Sequence, residues 1–156
     1  MEFGIDTIDY YLPKLAMNIR DLAEARNIPS SKLEKGLGLK QMAVPDIDED
    51  AASMAANALY KLIKNNKIDP KTVGRIYLGT ESALDAAKPT ATYAVGTVEN
   101  KLENQFGKRC FRNCDVVDLT FACVGAVDAL ENCLDWVKTD PNRKAIVIAS
   151  DIAKYE

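Results

Sequence analysis

The stretch that most restricts the fold is residues 115–149, where a strand pattern, a helix pattern and a second strand pattern follow in succession. Asp115–Phe121 reads as a strand and Cys123–Val137 as a helix. Lys144–Ser150, with Ala145-Ile146-Val147-Ile148-Ala149 at its centre, reads as a strand apolar on both sides. Such a strand needs cover above and below, and strand–helix–strand succession predicts parallel strands joined by right-handed crossovers. The expected fold class is α/β.

The rest of the chain continues the alternation. Phe3–Leu12 is expected to be a first strand, closed by Pro13. Asn18 is placed to cap a helix through about Arg26, with Ile19, Leu22 and Ala23 inward. Ser30–Glu34 has helix-start chemistry, and Gly36-Leu37-Gly38 stops it. A longer helix follows the acidic cluster Asp46, Asp48, Glu49 and Asp50, with Ala51, Met54, Ala55, Ala58 and Leu62 as its apolar stripe and Lys61, Lys64 and Lys67 toward its end. Asp69-Pro70 turns the chain into a strand over Val73–Gly79, and Thr92–Glu103 is expected to be helical, ending before Gly107. One domain of 156 residues is large enough for a real core.

Composition removes several function classes. A net charge of -3, with Lys and Arg scattered, carries no nucleic-acid footprint. No apolar run approaches 18 residues and the N-terminus lacks signal-peptide chemistry, so no membrane partner is expected and the cytoplasm is the expected location. Four cysteines in a chain of this size read as free thiols rather than a disulfide framework. Cys110 and Cys114 are four apart, but no histidine or second cysteine pair accompanies them, so no metal site is expected. The absence of histidine also means that any Cys–His pair must take its imidazole from elsewhere.

Two residues stand out chemically. Cys123 falls at the first turn of its helix, where free N–H groups and the dipole stabilise a thiolate, and Gly125 leaves the nearby backbone uncrowded. Helical periodicity also puts Cys123 in line with Ala126, Val127, Leu130, Cys133, Leu134 and Val137, as a core residue would be. Pattern alone leaves nucleophile and core filler both open. Glu81 follows the strand 73–79, so it and Cys123 both fall at carboxyl ends of strands, where functional groups of open α/β sheets collect. A carboxylate beside a thioester serves as a proton acceptor; the plainer reading is a solvated loop glutamate.

At these residues the chain resembles the N-terminal part of the 3-hydroxy-3-methylglutaryl-CoA synthases, of the thiolase superfamily. The resemblance covers essentially the whole chain. It rests on Gly36-Leu37-Gly38 with Met42, Gly79-Thr80-Glu81 with Asp85 and Lys88, Ala122-Cys123-x-Gly125, and Ser150-Asp151-Ile152-Ala153 with Tyr155. It implies one βαβ-rich, thiolase-like half of a layered αβαβα architecture, spanning residues 1–156. It implies Cys123 as the nucleophile that takes an acetyl group from acetyl-CoA, and Glu81 as the base that removes a methyl proton. The carbanion then adds to acetoacetyl-CoA, and hydrolysis releases the product. Asp151 and Tyr155 match supporting positions, and Pro29-Ser30 falls where the family passes bound CoA, without the usual acidic residue. CoA thioesters are the expected substrates, with no separate cofactor, within the mevalonate route to isoprenoids.

Two departures bear on this. Val124 and Ala126 stand where the family commonly has tyrosine and a second glycine, which admits a relative using carrier-protein-bound substrates in polyketide β-branching. The family's second half, with its catalytic histidine, has no counterpart in these residues. The expectation is a split or nicked synthase, its remainder a second polypeptide, and a homodimer of complete units. A ketoacyl synthase or thiolase relative is disfavoured by Glu81, which those condensations usually lack. A non-catalytic acyl-CoA-binding subunit is the alternative from another class.

Overall fold

The computed structural model describes residues 3–121 and 123–152. They fall into two compact units, one of residues 3–11 and 50–152, the other of Leu12–Glu49.

The smaller unit holds β1 (Leu15–Asn18), α1 (Ile19–Ala25), α2 (Ser30–Glu34) and β2 (Gln41–Val44). β1 and β2 pair antiparallel, from Leu15 opposite Val44 to Asn18 opposite Gln41. The Asn18 side chain caps α1 as expected, accepting the Arg20 N–H at 2.9 Å. Arg20 also pairs with Glu34 at 2.7 Å, tying α1 to α2. Neither short strand was visible in the sequence, because four residues are too few to show alternation.

The larger unit is built on three parallel strands. α3 (Ala51–Asn65) starts with a capping box: Asp50 accepts the Ser53 N–H at 2.7 Å, while Ser53 Oγ accepts the Asp50 N–H at 2.8 Å. Its buried line runs Ala51, Ala55, Leu59, Ile63; Ala58 and Leu62, expected in that stripe, are only half-buried. β3 (Val73–Gly79) has the expected bounds. α4 (Thr90–Phe106) starts earlier than Thr92 and ends at Gly107, whose φ of 82° suits a residue without a Cβ. β4 (Asp115–Leu119), α5 (Val124–Val137) and β5 (Lys144–Ala149) follow. The strand order is β4-β3-β5, all parallel, with Leu78 opposite Asp118 and Ile148.

Alternation along the strands divides the sheet into two faces. Ile76, Leu78, Ile146 and Ile148 point into a core shared with Leu59 and Ile63 of α3 and Val98 and Leu102 of α4. α5 lies on the other face, its Trp136 against Gly74 and Arg75 of β3. The result is one sheet between two helical layers.

Phe3–Leu12 departs from expectation: no residue of it joins a strand. A strand needs a neighbour for its N–H and C=O groups, and this segment forms no ladder among the described residues. Over residues 3–11 it is held instead by the last turns of α3 and by Asn66, which caps that helix. Thr7 donates to Asn66 at 2.6 Å, Asp9 accepts from Asn65 at 2.6 Å, and Lys61 donates to the Tyr10 carbonyl at 2.8 Å.

Candidate functional site

The carboxyl ends of the three parallel strands gather three of the residues singled out in the sequence. Glu81 follows β3, Cys123 follows β4, and Asp151 follows β5. The strand ends are stitched together by backbone bonds, Thr80 N–H to the Leu119 carbonyl at 3.1 Å and Ser150 N–H to the Gly79 carbonyl at 3.3 Å.

Asp151 organises the turn that carries Glu81. A single carboxylate oxygen accepts three bonds: Thr80 Oγ1 at 2.8 Å, Glu81 N–H at 2.6 Å and Ser82 N–H at 3.2 Å. Ser82 Oγ adds a reciprocal pair with Ile152, donating to its carbonyl and accepting its N–H, both at 3.1 Å. Behind this turn Thr80 is fully buried, and Ser150 Oγ donates to the Ala51 carbonyl at 2.8 Å. The Glu81 backbone is thereby fixed from β5, while the residue itself is exposed.

Cys123 is the residue immediately before α5, in helical conformation with φ -61° and ψ -25°, and it is exposed. This corrects the expectation of a thiol on the buried stripe. The buried line of α5 is Gly125, Ala129, Cys133. Gly125 sets it: a Cβ there would lie 2.3 Å from the Leu119 carbonyl oxygen, and a Cβ on Gly79 would lie 2.1 Å from the Ala126 nitrogen. The helix start therefore rests on the backbone of β3 and β4 through two glycines. At 100° per residue, turning Gly125 toward the sheet turns Cys123 and Val127 away from it. Val127, also expected to be buried, is 62% exposed.

The loop after Glu81 has its own clasp. Asp85 accepts the N–H groups of Ala87 at 2.8 Å and Lys88 at 3.2 Å, and Tyr93 donates to it at 3.1 Å. These bonds, the Ala87 N–H first, hold the Asp85 carboxyl below the usual carboxylate range. Lys88 sits 4.0 Å over the Tyr93 ring.

Pro29 and Ser30 belong to the smaller unit, Pro29 directly before α2 and Ser30 as its first residue. Tyr155 lies outside the described residues. In the larger unit Thr80 and Ser82 flank Glu81 in the sequence without a role of their own showing there, and Asp118 stands outside every motif. Asp118 left one signal, a charge within the otherwise apolar 116–119 of a strand. A groove of about 780 Å³ in the same unit runs between the N-terminal segment, α5 and β5, and neither Cys123 nor Glu81 lines it. Among the described residues no helix is long and apolar enough to cross a membrane.

A parallel α/β layer with these strand-end residues is the thiolase-like class of fold. Solved structures agree. MvaS in complex with 3-hydroxy-3-methylglutaryl coenzyme A superposes with a TM-score of 0.84 at 33% identity, covering 99% of this chain and 35% of that one. The curacin-pathway HMG synthase in complex with acetyl donor-ACP gives 0.80 at 27%, covering 99% and 36%. Among curated sequences, the hydroxymethylglutaryl-CoA synthase of Haloferax volcanii is 35% identical over 98% of this chain and that of Enterococcus faecalis 34% over 99%. The family model described as hydroxymethylglutaryl-coenzyme A synthase N terminal matches residues 1–156, and the chain belongs to that family. It spans about a third of the length of these relatives, 34% and 37% respectively.

Proposed function

We propose that the chain is the N-terminal, thiolase-like part of a synthase that condenses acetyl-CoA with acetoacetyl-CoA. The observation that carries this reading is the placement of an exposed Cys123 at the start of α5 beside a Glu81 turn clamped by Asp151, both at carboxyl ends of adjacent strands. The Cys123 thiolate attacks the acetyl-CoA carbonyl, forming an acetyl–sulfur bond and releasing CoA. Glu81 takes a proton from the acetyl methyl, and the carbanion adds to the ketone of acetoacetyl-CoA. Water then cleaves the enzyme thioester, giving 3-hydroxy-3-methylglutaryl-CoA. Asp151 and Tyr155 support the site, Gly125 seats the helix that presents the thiol, and Pro29-Ser30 border the CoA path.

The remainder of the synthase supplies the catalytic histidine, and the complete unit works as a homodimer in the cytoplasm, in mevalonate synthesis. Support comes from the apolar surface around the thiol: Phe121 is 65% exposed, Val124 46% and Val127 62%. The acetyl thioester must be kept from water until the carbon–carbon bond has formed, and a patch of this kind beside a nucleophile calls for cover. Assay with intact-mass measurement checks the need for that remainder. An active preparation containing only the 17.1 kDa species would sink it.

Incubation of the assembled protein with acetyl-CoA is expected to add one acetyl group to the Cys123 peptide. Glu81→Ala should leave that acetylation largely intact while cutting condensation by about 10²–10⁴-fold, the usual worth of a proton-transfer group. Equal loss of both steps would make Glu81 structural. Absence of acetylation, with the remainder of the synthase supplied, would favour a non-catalytic acyl-CoA-binding subunit. The carrier-protein alternative draws on Val124 and Ala126 and on the curacin likeness, and a preference for acetyl-carrier protein over acetyl-CoA would establish it.

A further inference from the structure

The loop carrying Glu81 is held at both ends by carboxylates from the strands beside it. Asp151, after β5, holds its beginning. Its end enters α4 at Thr90, preceded by Pro89, which offers no side-chain oxygen to the first N–H groups of the helix. Thr90 and Ala91 are both fully buried, so water does not serve those groups either. The acceptor comes from β4: Asp118 takes the Thr90 N–H on one oxygen at 2.5 Å and the Ala91 N–H on the other at 2.9 Å. Thr90 Oγ1 in turn accepts the Leu84 N–H at 3.0 Å, reaching back into the Glu81 loop. An ordinary helix cap comes from the residue next to the helix. This one comes from the strand that, five residues later, delivers Cys123.

We propose that Asp118 is a positioning residue for the condensation step. By tying the start of α4 to β4, it keeps the Glu81 loop in register with the strand end that bears the nucleophile. Displacement of the loop leaves the thiol free to accept an acetyl group but misplaces the base against the acetyl methyl. The inference rests on the reading of Glu81 as that base.

The test uses this chain assembled with the remainder of the synthase, as Asp118→Asn, Asp118→Glu and Asp118→Ala. Asparagine can accept only one of the two N–H groups, and alanine neither. For both, Cys123 acetylation should stay within about threefold of the parent, while condensation kcat falls about 10–100-fold with KM for acetoacetyl-CoA nearly unchanged. Asp118→Glu keeps the carboxylate and should recover part of the rate, which guards against loss through misfolding. On a Glu81→Gln background, Asp118→Asn should add no further loss, since the group it positions is gone. Amide exchange at Thr90 and Leu84 should quicken in Asp118→Asn. Faster exchange with unchanged kcat would overturn the proposal, leaving a plain helix cap. So would equal loss of acetylation and condensation, or additive losses on the Glu81→Gln background. If the parent assembly itself neither acetylates nor condenses, the reading of the site fails and takes the proposal with it.

Discussion

Among its four thiols the chain separates one from the rest by burial. Cys110 and Cys133 are buried and Cys114 half-buried, whereas Cys123 is exposed. Burial, and then the neighbouring Asp115, push the Cys114 thiol up to about 12. Burial pushes Cys133 up to about 11 and Cys110 upward as well. Thiolate is the reactive form, so at pH 8 a limiting amount of iodoacetamide should label Cys123 first and leave Cys114 and Cys133 essentially unlabelled. Peptide mapping reads this directly, and comparable labelling of Cys133 would refute it. Helical periodicity predicts Cys123 and Cys133 on one buried stripe, and only Cys133 is buried. The predicted stripe follows the larger apolar side chains, whereas the helix turns on Gly125, its smallest residue.

That turn belongs to the scale of elements. α5 approaches the sheet where Gly79 of β3 and Gly125 face one another, and neither position has room for a methyl group. Gly125→Ala should therefore push the helix start off β4. Overpacking of this kind costs about 2 kcal/mol. For a domain of this size that lowers the melting midpoint by roughly 4–8 °C. Calorimetry showing less than about 1 °C would mean that the helix moves freely there. β3, β4, α5 and β5 were legible within one or two residues, because their periodicities are local and long enough to read. α4 begins earlier than its pattern showed, since its cap comes from Asp118, on a strand that follows the helix in the chain. No window of sequence around Thr90 contains that carboxylate.

At the scale of the whole molecule, the patch of Phe121, Val124 and Val127 borders the thiol. Val127→Asp should leave the stability of this chain within about 0.5 kcal/mol, as surface substitutions do. Added to a separately produced remainder of the synthase, it should bind at least about tenfold more weakly than the parent in titration calorimetry. Unchanged affinity would show that the remainder binds elsewhere. The alternation of apolar and polar residues, the capping Asn18 and Asp50, and the strand-end positions of Glu81, Cys123 and Asp151 were determined by the sequence itself, because each depends on neighbours a few residues away. Phe3–Leu12 carries the pattern of a strand yet forms none, since a strand exists only when another chain segment lies beside it. The exposed face of Cys123, the three bonds on one oxygen of Asp151 and the cap from Asp118 join residues far apart in the chain. Only tertiary packing decided them, because the backbone contact at Gly79 and Gly125 and the buried N–H groups of α4 arise when the strands and helices meet.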